Sequence, residues 1–473
     1  MQWYSLFVPS FADSNGDGIG DLKGIRNSLD YFVELGVEGI WLSPIHPAPS
    51  YHKYDVVDYY DVDPTYGTMD DFKNLIFSAH EKGIKIMLDM VLNHSSEEHN
   101  WFQEALKSKD NSFRNYFNWM KASEVLKNNL NDWHVPEKGP VDECYYGLFW
   151  KGMPDLNFDN PLVRSEIIIV ANFWISLGVD ALRLDAAMHI FPKGREKDNT
   201  IWWQEFKKAL DEKVFLVGEI TESCNYIAPY FKNGLTSAFN FELADLIIKA
   251  IRDKKQNCLA DWLKNVQENY RSKDKSALDS IFLSNHDQER IASCLDGNIE
   301  KIKLAASILF TLPGVIFMYY GEELGMFGRK PDEYVRECFP WTWKDSEKRC
   351  SWLPSKYNLP STLASYEVQK TDTNSVFKHY QTLSAIRKNN LALEKGSIEN
   401  VICKDPAVLI FQRIHIQQKV LVMHNLSNED LYLKHEDVPF DFEIIHRSAI
   451  HPSPENGNFY LPAFGSLMVD VKM

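Results

Sequence analysis

No two of the chain's seven cysteines stand in a C-x-x-C arrangement, and their odd number and scatter (144, 224, 258, 294, 338, 350, 403) offer neither a disulfide framework nor a zinc site. A reducing compartment fits such usage. Cationic excess is also missing: the formal net charge of -15 argues against a nucleic-acid backbone as partner and favours a neutral or cationic ligand. Long apolar runs are missing as well. The longest, AASILFTLPGVIFMYYG at 305–321, is broken by Pro313 and Gly314 and falls short of the roughly 20 residues that cross a bilayer. It reads as a helix running into a strand. The opening MQWYSLFVPSF has no basic segment followed by an apolar one. These absences predict a cytoplasmic monomer without membrane or nucleic-acid partners, an exported chain with its signal removed being the alternative.

What is present is a beat. Eight short apolar or β-branched runs recur between helical patterns, at 3–11, 39–45, 84–91, 180–186, 214–220, 237–243, 278–287 and 314–323. Strands alternating with helices imply a parallel sheet, and eight is the number that closes a (β/α)8 TIM barrel. The fold class expected is therefore α/β. Two intervals break the beat. Residues 95–157, after the third strand, are polar, aromatic and weakly periodic, which predicts an inserted subdomain. From 392 the helical period fades, and runs such as VLIFQRIH (408–415) and LMVDV (467–471) predict a C-terminal antiparallel β domain. The expected division is a barrel of 1–94 and 158–391, an insertion of 95–157 and a C-terminal β-sandwich of 392–473.

Within GVDALRLDAA (178–187), Arg183 and Asp185 lie two apart. Side chains alternate along a strand, so both charges share one face while Leu182 and Leu184 share the other. Asp185, Glu219 and Asp287 each end a strand. Spacings of 34 and then 68 residues correspond to one βα unit and then two, so the three carboxylates reach the same rim, the C-terminal rim where such barrels carry their active sites. Clustered carboxylates suit glycoside cleavage, in which one acid attacks the anomeric carbon or activates water and the other protonates the leaving oxygen. Arg183 is expected to hold Asp185 ionised. Glu219 follows the apolar run VFLVG with no cation beside it in sequence, so desolvation and neighbouring carboxylates are expected to raise its pKa. The bland alternative is a buried ion pair that only fixes barrel register.

The motifs DMVLNH (89–94), MPDLN (153–157), GVDALRLDAAMH (178–189), VGEI (217–220) and FLSNHD (282–287) resemble, in order and spacing, those of the α-amylase family (family 13) of glycoside hydrolases. The resemblance runs over nearly the whole chain. It implies Asp185 as nucleophile, Glu219 as general acid/base and Asp287 as a carboxylate gripping sugar hydroxyls. It also implies Arg183 supporting the nucleophile, and His94 and His286 bonding the sugar. The family retains anomeric configuration, which places nucleophile and acid/base about 5–5.5 Å apart. SYHKYDVVDYY (50–60) resembles the family's tyrosine platform, with Tyr54 stacking on the sugar and Asp55 fixing the local structure.

In DSNGDGIGD (13–21), Asp13, Asn15, Asp17 and Asp21 follow the 1-3-5-9 spacing of a calcium loop, Gly18 supplies the turn, and Ile19 could add its carbonyl. The twelfth position is Gly24, so this is no EF-hand. Family members carry calcium on this loop, which implies a structural calcium ion here; an ion-free Asx turn is the alternative. The family's other calcium site uses the Asn matching Asn93 and is left open.

Among family reactions, Tyr51-His52 before Tyr54-Asp55 matches the α-amylase form and implies an open cleft for internal α-1,4 cleavage. The substrate expected is thus an α-1,4-glucan or maltooligosaccharide. Met188-His189 departs from the Lys-His pair many amylases carry, which puts acceptor-side contacts in question. KIKLAASILFTLPG (301–314) resembles 4-α-glucanotransferases, the second reading. A catalytically inactive, transporter-associated relative would have lost the three carboxylates that this chain keeps.

Overall fold

The computed structural model describes residues 1–139, 142–344, 348–433, 442–447 and 459–471. Eight parallel strands pair with their neighbours in chain order and close into a barrel: Gln2–Leu6, Gly39–Leu42, Lys85–Met90, Ala181–Leu184, Phe215–Gly218, Ser237–Phe239, Leu278–Ile281 and Val315–Tyr319. Seven fall inside the runs read from sequence, and the first begins one residue earlier, at Gln2. The long apolar stretch resolves into a helix, Ile299–Thr311, and the eighth strand.

Strand alternation sorts the residues as expected. Trp3, Trp41, Met87, Ala181, Val217, Phe239 and Phe317 pack into one apolar cluster inside the barrel. Leu182 and Leu184 point outward into the larger core shared with the helices. The interior is tight enough that Gly39 tolerates no side chain, since a Cβ there would stand 2.4 Å from the Trp3 ring. Register then sets the rim. Asp89 pairs with Arg183, and Leu184 with Gly218, so Asp185 and Glu219 emerge side by side.

The insertion after the third strand forms a three-stranded antiparallel sheet (Trp119–Lys121, Trp133–His134, Glu143–Tyr146) with helices Asn100–Lys107 and Ala122–Asn128. A bridge from His94 to Asp155 ties it to the barrel mouth, and a second from Phe117 to Leu156 closes it on itself. Towards the C-terminus, a short helix (Leu391–Lys395) precedes a five-stranded antiparallel sheet of Ser397–Asn400, Val408–His415, Gln418–Asn425, Ser466–Val471 and Phe442–Arg447. One buried guanidinium group fastens this region to the barrel through backbone carbonyls, Arg413 donating to Thr311 of the barrel and to Gly396, while within the barrel Arg387 donates to Phe310, Leu312 and Gly314. Among the described residues, no helix is long and apolar enough to cross a membrane.

One buried carboxyl of the seventh strand makes the fold pH-sensitive. Asp279 accepts from Asn240 at 2.9 Å through one oxygen, while the other has no partner among the described residues. Burial pushes its pKa up to about 7. A raised folded-state pKa means that stability is fullest below the unfolded value, near 4, and is lost as pH rises through 7. Asp279→Asn keeps the bond to Asn240 and removes the ionisation. Thermal unfolding should show the variant gaining on the parent between pH 5 and pH 8, by about 1–3 kcal/mol; a pH-independent difference would refute this.

Candidate active site

The strand ends converge on a cleft of about 420 Å3 lined by Asp185, Glu219, Asp287, Tyr54 and His94, with Tyr51, His52 and Arg336 to one side and Phe149 and Trp150 from the insertion to the other. At its floor Arg183 is almost wholly buried (1% exposed). Its Nη1 donates to Asp89 and Asp185, both at 2.7 Å, and its Nη2 pairs with Glu219 at 2.8 Å. The guanidinium lies over the Trp41 ring at 5.3 Å.

The charged stripe of the fourth strand is therefore a hub for three carboxylates, one of which, Asp89, the sequence reading quoted within DMVLNH without assigning it a role. Asp89 also accepts from the Trp41 indole at 3.2 Å and the Tyr54 hydroxyl at 3.0 Å. One electrostatic expectation needs correcting, and one premise drawn from sequence neighbours does not carry over to the fold. Glu219 does have a cation beside it, because the register swings Arg183 across the neighbouring strand. Asp185 is raised above the ordinary carboxylate value: burial dominates, Arg183 opposes it, and Glu219 and Asp89 add to the rise. Three carboxyls on one buried cation favour retaining a proton among them.

Local backbone conformation sets the pair. Immediately after Asp185, Ala186 takes φ +47°, a left-handed value unusual for a residue with a side chain. Its N–H donates to Glu219 Oε2 at 3.2 Å, and the Ala187 N–H donates to the Glu219 carbonyl at 3.1 Å. The turn that ends the strand of Asp185 thus also holds the neighbouring Glu219.

Asp287 stands on the other side under different control. Burial would raise it, but His286 at 2.9 Å and Arg336 at 2.8 Å hold it well below the usual range. Arg336 was missed from sequence: it lies beyond the eighth strand, outside every motif. It also donates to the Tyr51 hydroxyl at 2.9 Å and the His286 carbonyl at 2.9 Å.

The expected sugar-contacting residues are all gathered here. Tyr54 lies parallel to the His286 ring (5.6 Å, 9°), with its hydroxyl 2.7 Å from His286 Nε2. Asp55 accepts from Ser50 in the same loop. His94 donates through Nε2 to the Tyr54 carbonyl at 3.1 Å, and burial lowers its pKa to about 4, so it is neutral at working pH. Its ring lies edge-on to Phe149, which also meets His189.

The 13–21 loop lies elsewhere, packed on Ser351 and Trp352, whose N–H groups donate to the Gly18 carbonyl. Gly18 has φ +89°, and a Cβ there would meet Ser351 Oγ at 2.6 Å. Asp13 accepts from the N–H groups of Asn15, Gly16 and Gly18, Asp17 from Ile19, and Asp21 from Ser14 and Gly24. These are Asx turns, which close the loop by themselves. The donors are oxygens, as calcium prefers, yet among the described residues no three His, Cys, Asp or Glu side chains converge as a metal group. Asn93 donates to Asp155 of the insertion at 3.1 Å.

A barrel with a carboxylate pair and a third acid at its C-terminal rim belongs to the class of enzymes that cleave glycosides. The comparisons with known proteins narrow this. The family description "Alpha amylase, catalytic domain" matches residues 5–396, and the chain belongs to the α-amylase family as an α-amylase-type glycoside hydrolase. It is 45% identical over 429 residues to Alpha-amylase 3 of Dictyoglomus thermophilum, covering 90% of this chain and 84% of that one. It is 35% identical over 462 residues to a 4-alpha-glucanotransferase of Thermotoga neapolitana, covering 94% and 100%. Among solved structures, the alpha-amylase from H. orenii superposes with a TM-score of 0.90 at 37% identity, covering 100% of this chain and 99% of that one.

Arg336→Met removes the guanidinium partner of Asp287 and should lower kcat/KM on maltoheptaose on the order of 10²-fold, the cost of losing one preorganised donor, with the acid limb of the pH profile moving upward. Unchanged kcat/KM in a folded variant would show that Arg336 only packs the loop.

Proposed function

We propose that the protein is a retaining hydrolase of internal α-1,4-glucosidic bonds in starch, glycogen or maltooligosaccharides. The observation that supports this most directly is one guanidinium holding Asp185 and Glu219 together, with Asp287 facing them across the cleft. A separation of about 5–5.5 Å suits a nucleophile and an acid/base on the same bond. In the reaction, Asp185 as carboxylate attacks the anomeric carbon while Glu219 passes its proton to the departing glycosidic oxygen. Proton and charge must therefore sit on opposite members of the pair when substrate binds. Asp287, kept anionic by His286 and Arg336, accepts hydrogen bonds from sugar hydroxyls and stabilises the oxocarbenium-like transition state. Glu219 then takes a proton from water, which attacks the glycosyl ester and frees Asp185. Tyr54 and His94 line the cleaved-side pocket.

A 4-α-glucanotransferase is the second reading, favoured by the Thermotoga relative and by the half-exposed rings of Phe149 (48%) and Trp150 (45%) at the cleft rim, which could hold a sugar acceptor against water. Incubation with maltoheptaose, resolved by chain length beside a Glu219→Gln control, separates the two. Only shorter products mean hydrolysis, and early products longer than the donor mean transfer. Asp185→Asn should fold normally and lose activity by several orders of magnitude; a folding defect of comparable size would return Arg183 and Asp185 to a purely structural role.

A structural calcium ion on the first loop is part of the same proposal, with Asp13, Asn15, Asp17, Asp21 and the Ile19 carbonyl as ligands. It would brace the loop against Ser351 and supply no chemistry. Calorimetric titration of chelator-treated protein should then give one site that raises Tm and is lost in Asp17→Ala. Heat and Tm unaffected by calcium would leave the Asx turns as the whole account.

A further inference from the structure

We propose that the junction between the barrel's last helices and the C-terminal sheet binds a small phosphate-bearing anion. A cavity of about 170 Å3 opens there between the helices Ile299–Thr311 and Val376–Asn389, closed on its third side by the strand Phe442–Arg447. It shares no residue with the catalytic cleft.

The lining charge runs against that of the molecule. In a chain of net charge -15, Lys303, Lys378 and Arg447 line this cavity and Glu300 is the one acid among the described lining residues. The carboxylates near the two lysines are distant: Lys303 stands 3.7 Å from Glu300 and Lys378 3.6 Å from Glu34. Full charge-assisted hydrogen bonds are closer, about 2.7–2.9 Å. Lys378 also donates to Gln381 Oε1 at 2.9 Å, but an ammonium group carries three N–H donors, so both lysines keep donor capacity for an anion.

Two further features point the same way. His446 Nε2 is buried against the cavity with no hydrogen-bond partner among the described residues, and a buried polar nitrogen left unmatched is destabilising. A phosphate oxygen would match it. The 14-residue helix Val376–Asn389 also begins here: its cap Ser375 and the preceding Thr373 and Asn374 form part of the wall. The positive end of its dipole thus adds to the lysine field. The helix contributes its dipole and not its N–H groups, since Phe377 N–H donates to Gln369 and Lys378 N–H to Ser375; donors from two lysines and an imidazole surround the space from several sides, which suits a tetrahedral phosphate group better than a planar carboxylate. The shared chemistry is a phosphate; free phosphate and the phosphate of a sugar ester are its two sources.

Such a ligand touches both barrel and C-terminal sheet, so it binds the docked arrangement alone and stabilises it by mass action. Thermal unfolding and calorimetry on the full chain, with sodium phosphate, glucose 1-phosphate and glucose at constant ionic strength maintained with chloride, test this. Saturable binding of either phosphate compound with a rise in Tm, weakened tenfold or more in Lys303→Met/Lys378→Met, is expected; glucose alone should do nothing. Tighter binding of the ester than of free phosphate would assign the sugar ester as ligand, and the reverse would assign phosphate. Should the double variant fail to fold, ³¹P line broadening by the native protein compared with Lys303→Met decides on the same criterion. The variant's turnover of maltoheptaose in phosphate-free buffer should match the parent's. Phosphate effects no larger than those of chloride, or undiminished in the variants, would overturn the proposal.

Discussion

The site depends on one buried guanidinium. Arg183 has been taken out of water at the centre of a barrel whose interior below it is aromatic and aliphatic, and such a cation persists only where its neighbours replace its hydration. Here they are Asp89, Asp185 and Glu219, with the Trp41 ring beneath. The arrangement is reciprocal. Without Arg183 three carboxylates would repel one another in a low-dielectric pocket, and without the carboxylates the cation would be stranded. The same contacts that hold three adjacent strands in register also set Asp185 and Glu219 side by side at the rim.

That hub also accounts for the departure from the simplest electrostatic expectation. Reading Arg183 as partner of Asp185 alone treats the strand as isolated, whereas parallel pairing puts the neighbouring strand's first rim residue equally near. Shared among three acids, one positive charge cannot keep all of them ionised against burial, and the rise at Asp185 and Asp89 follows. Asp287 shows the opposite balance. It faces two cationic or imidazole partners of its own, is farther from the hub, and stays anionic. One cleft thus holds a carboxyl cluster with a mobile proton opposite a carboxylate with a fixed charge, the division of labour that acid/base cleavage of an acetal requires.

What could be read from sequence follows from what periodicity encodes. Alternation of two and the recurrence of βα units depend on local chemistry, so the eight strands, their facing and the rim positions of Asp185, Glu219 and Asp287 were legible. Asp89 was harder: it sits inside an apolar run, and only the lateral register with Arg183 explains a carboxylate there. Arg336 carried no local signal, because its partners Asp287 and Tyr51 lie 49 and 285 residues away. The calcium spacing illustrates the converse. Asp, Asn and Gly at alternate positions serve an ion and a self-closing Asx loop equally well, and backbone N–H groups already occupy the carboxylates.

The walls of the cleft come from chain the barrel does not need. Phe149 and Trp150 hang from the insertion, and Tyr51, His52 and Arg336 from loops after the second and eighth strands. The floor decides that a glycosidic bond can be broken; the walls decide which molecule takes up the glycosyl group. Water and a sugar hydroxyl undergo the same chemistry at the same carbon, so the choice between them rests on 1–3 kcal/mol of acceptor contact. An aromatic edge such as Phe149, meeting both His94 and His189, lies where that difference is made. Relatives named for hydrolysis and for transfer can therefore share this floor, and the insertion is where their differences are expected to lie.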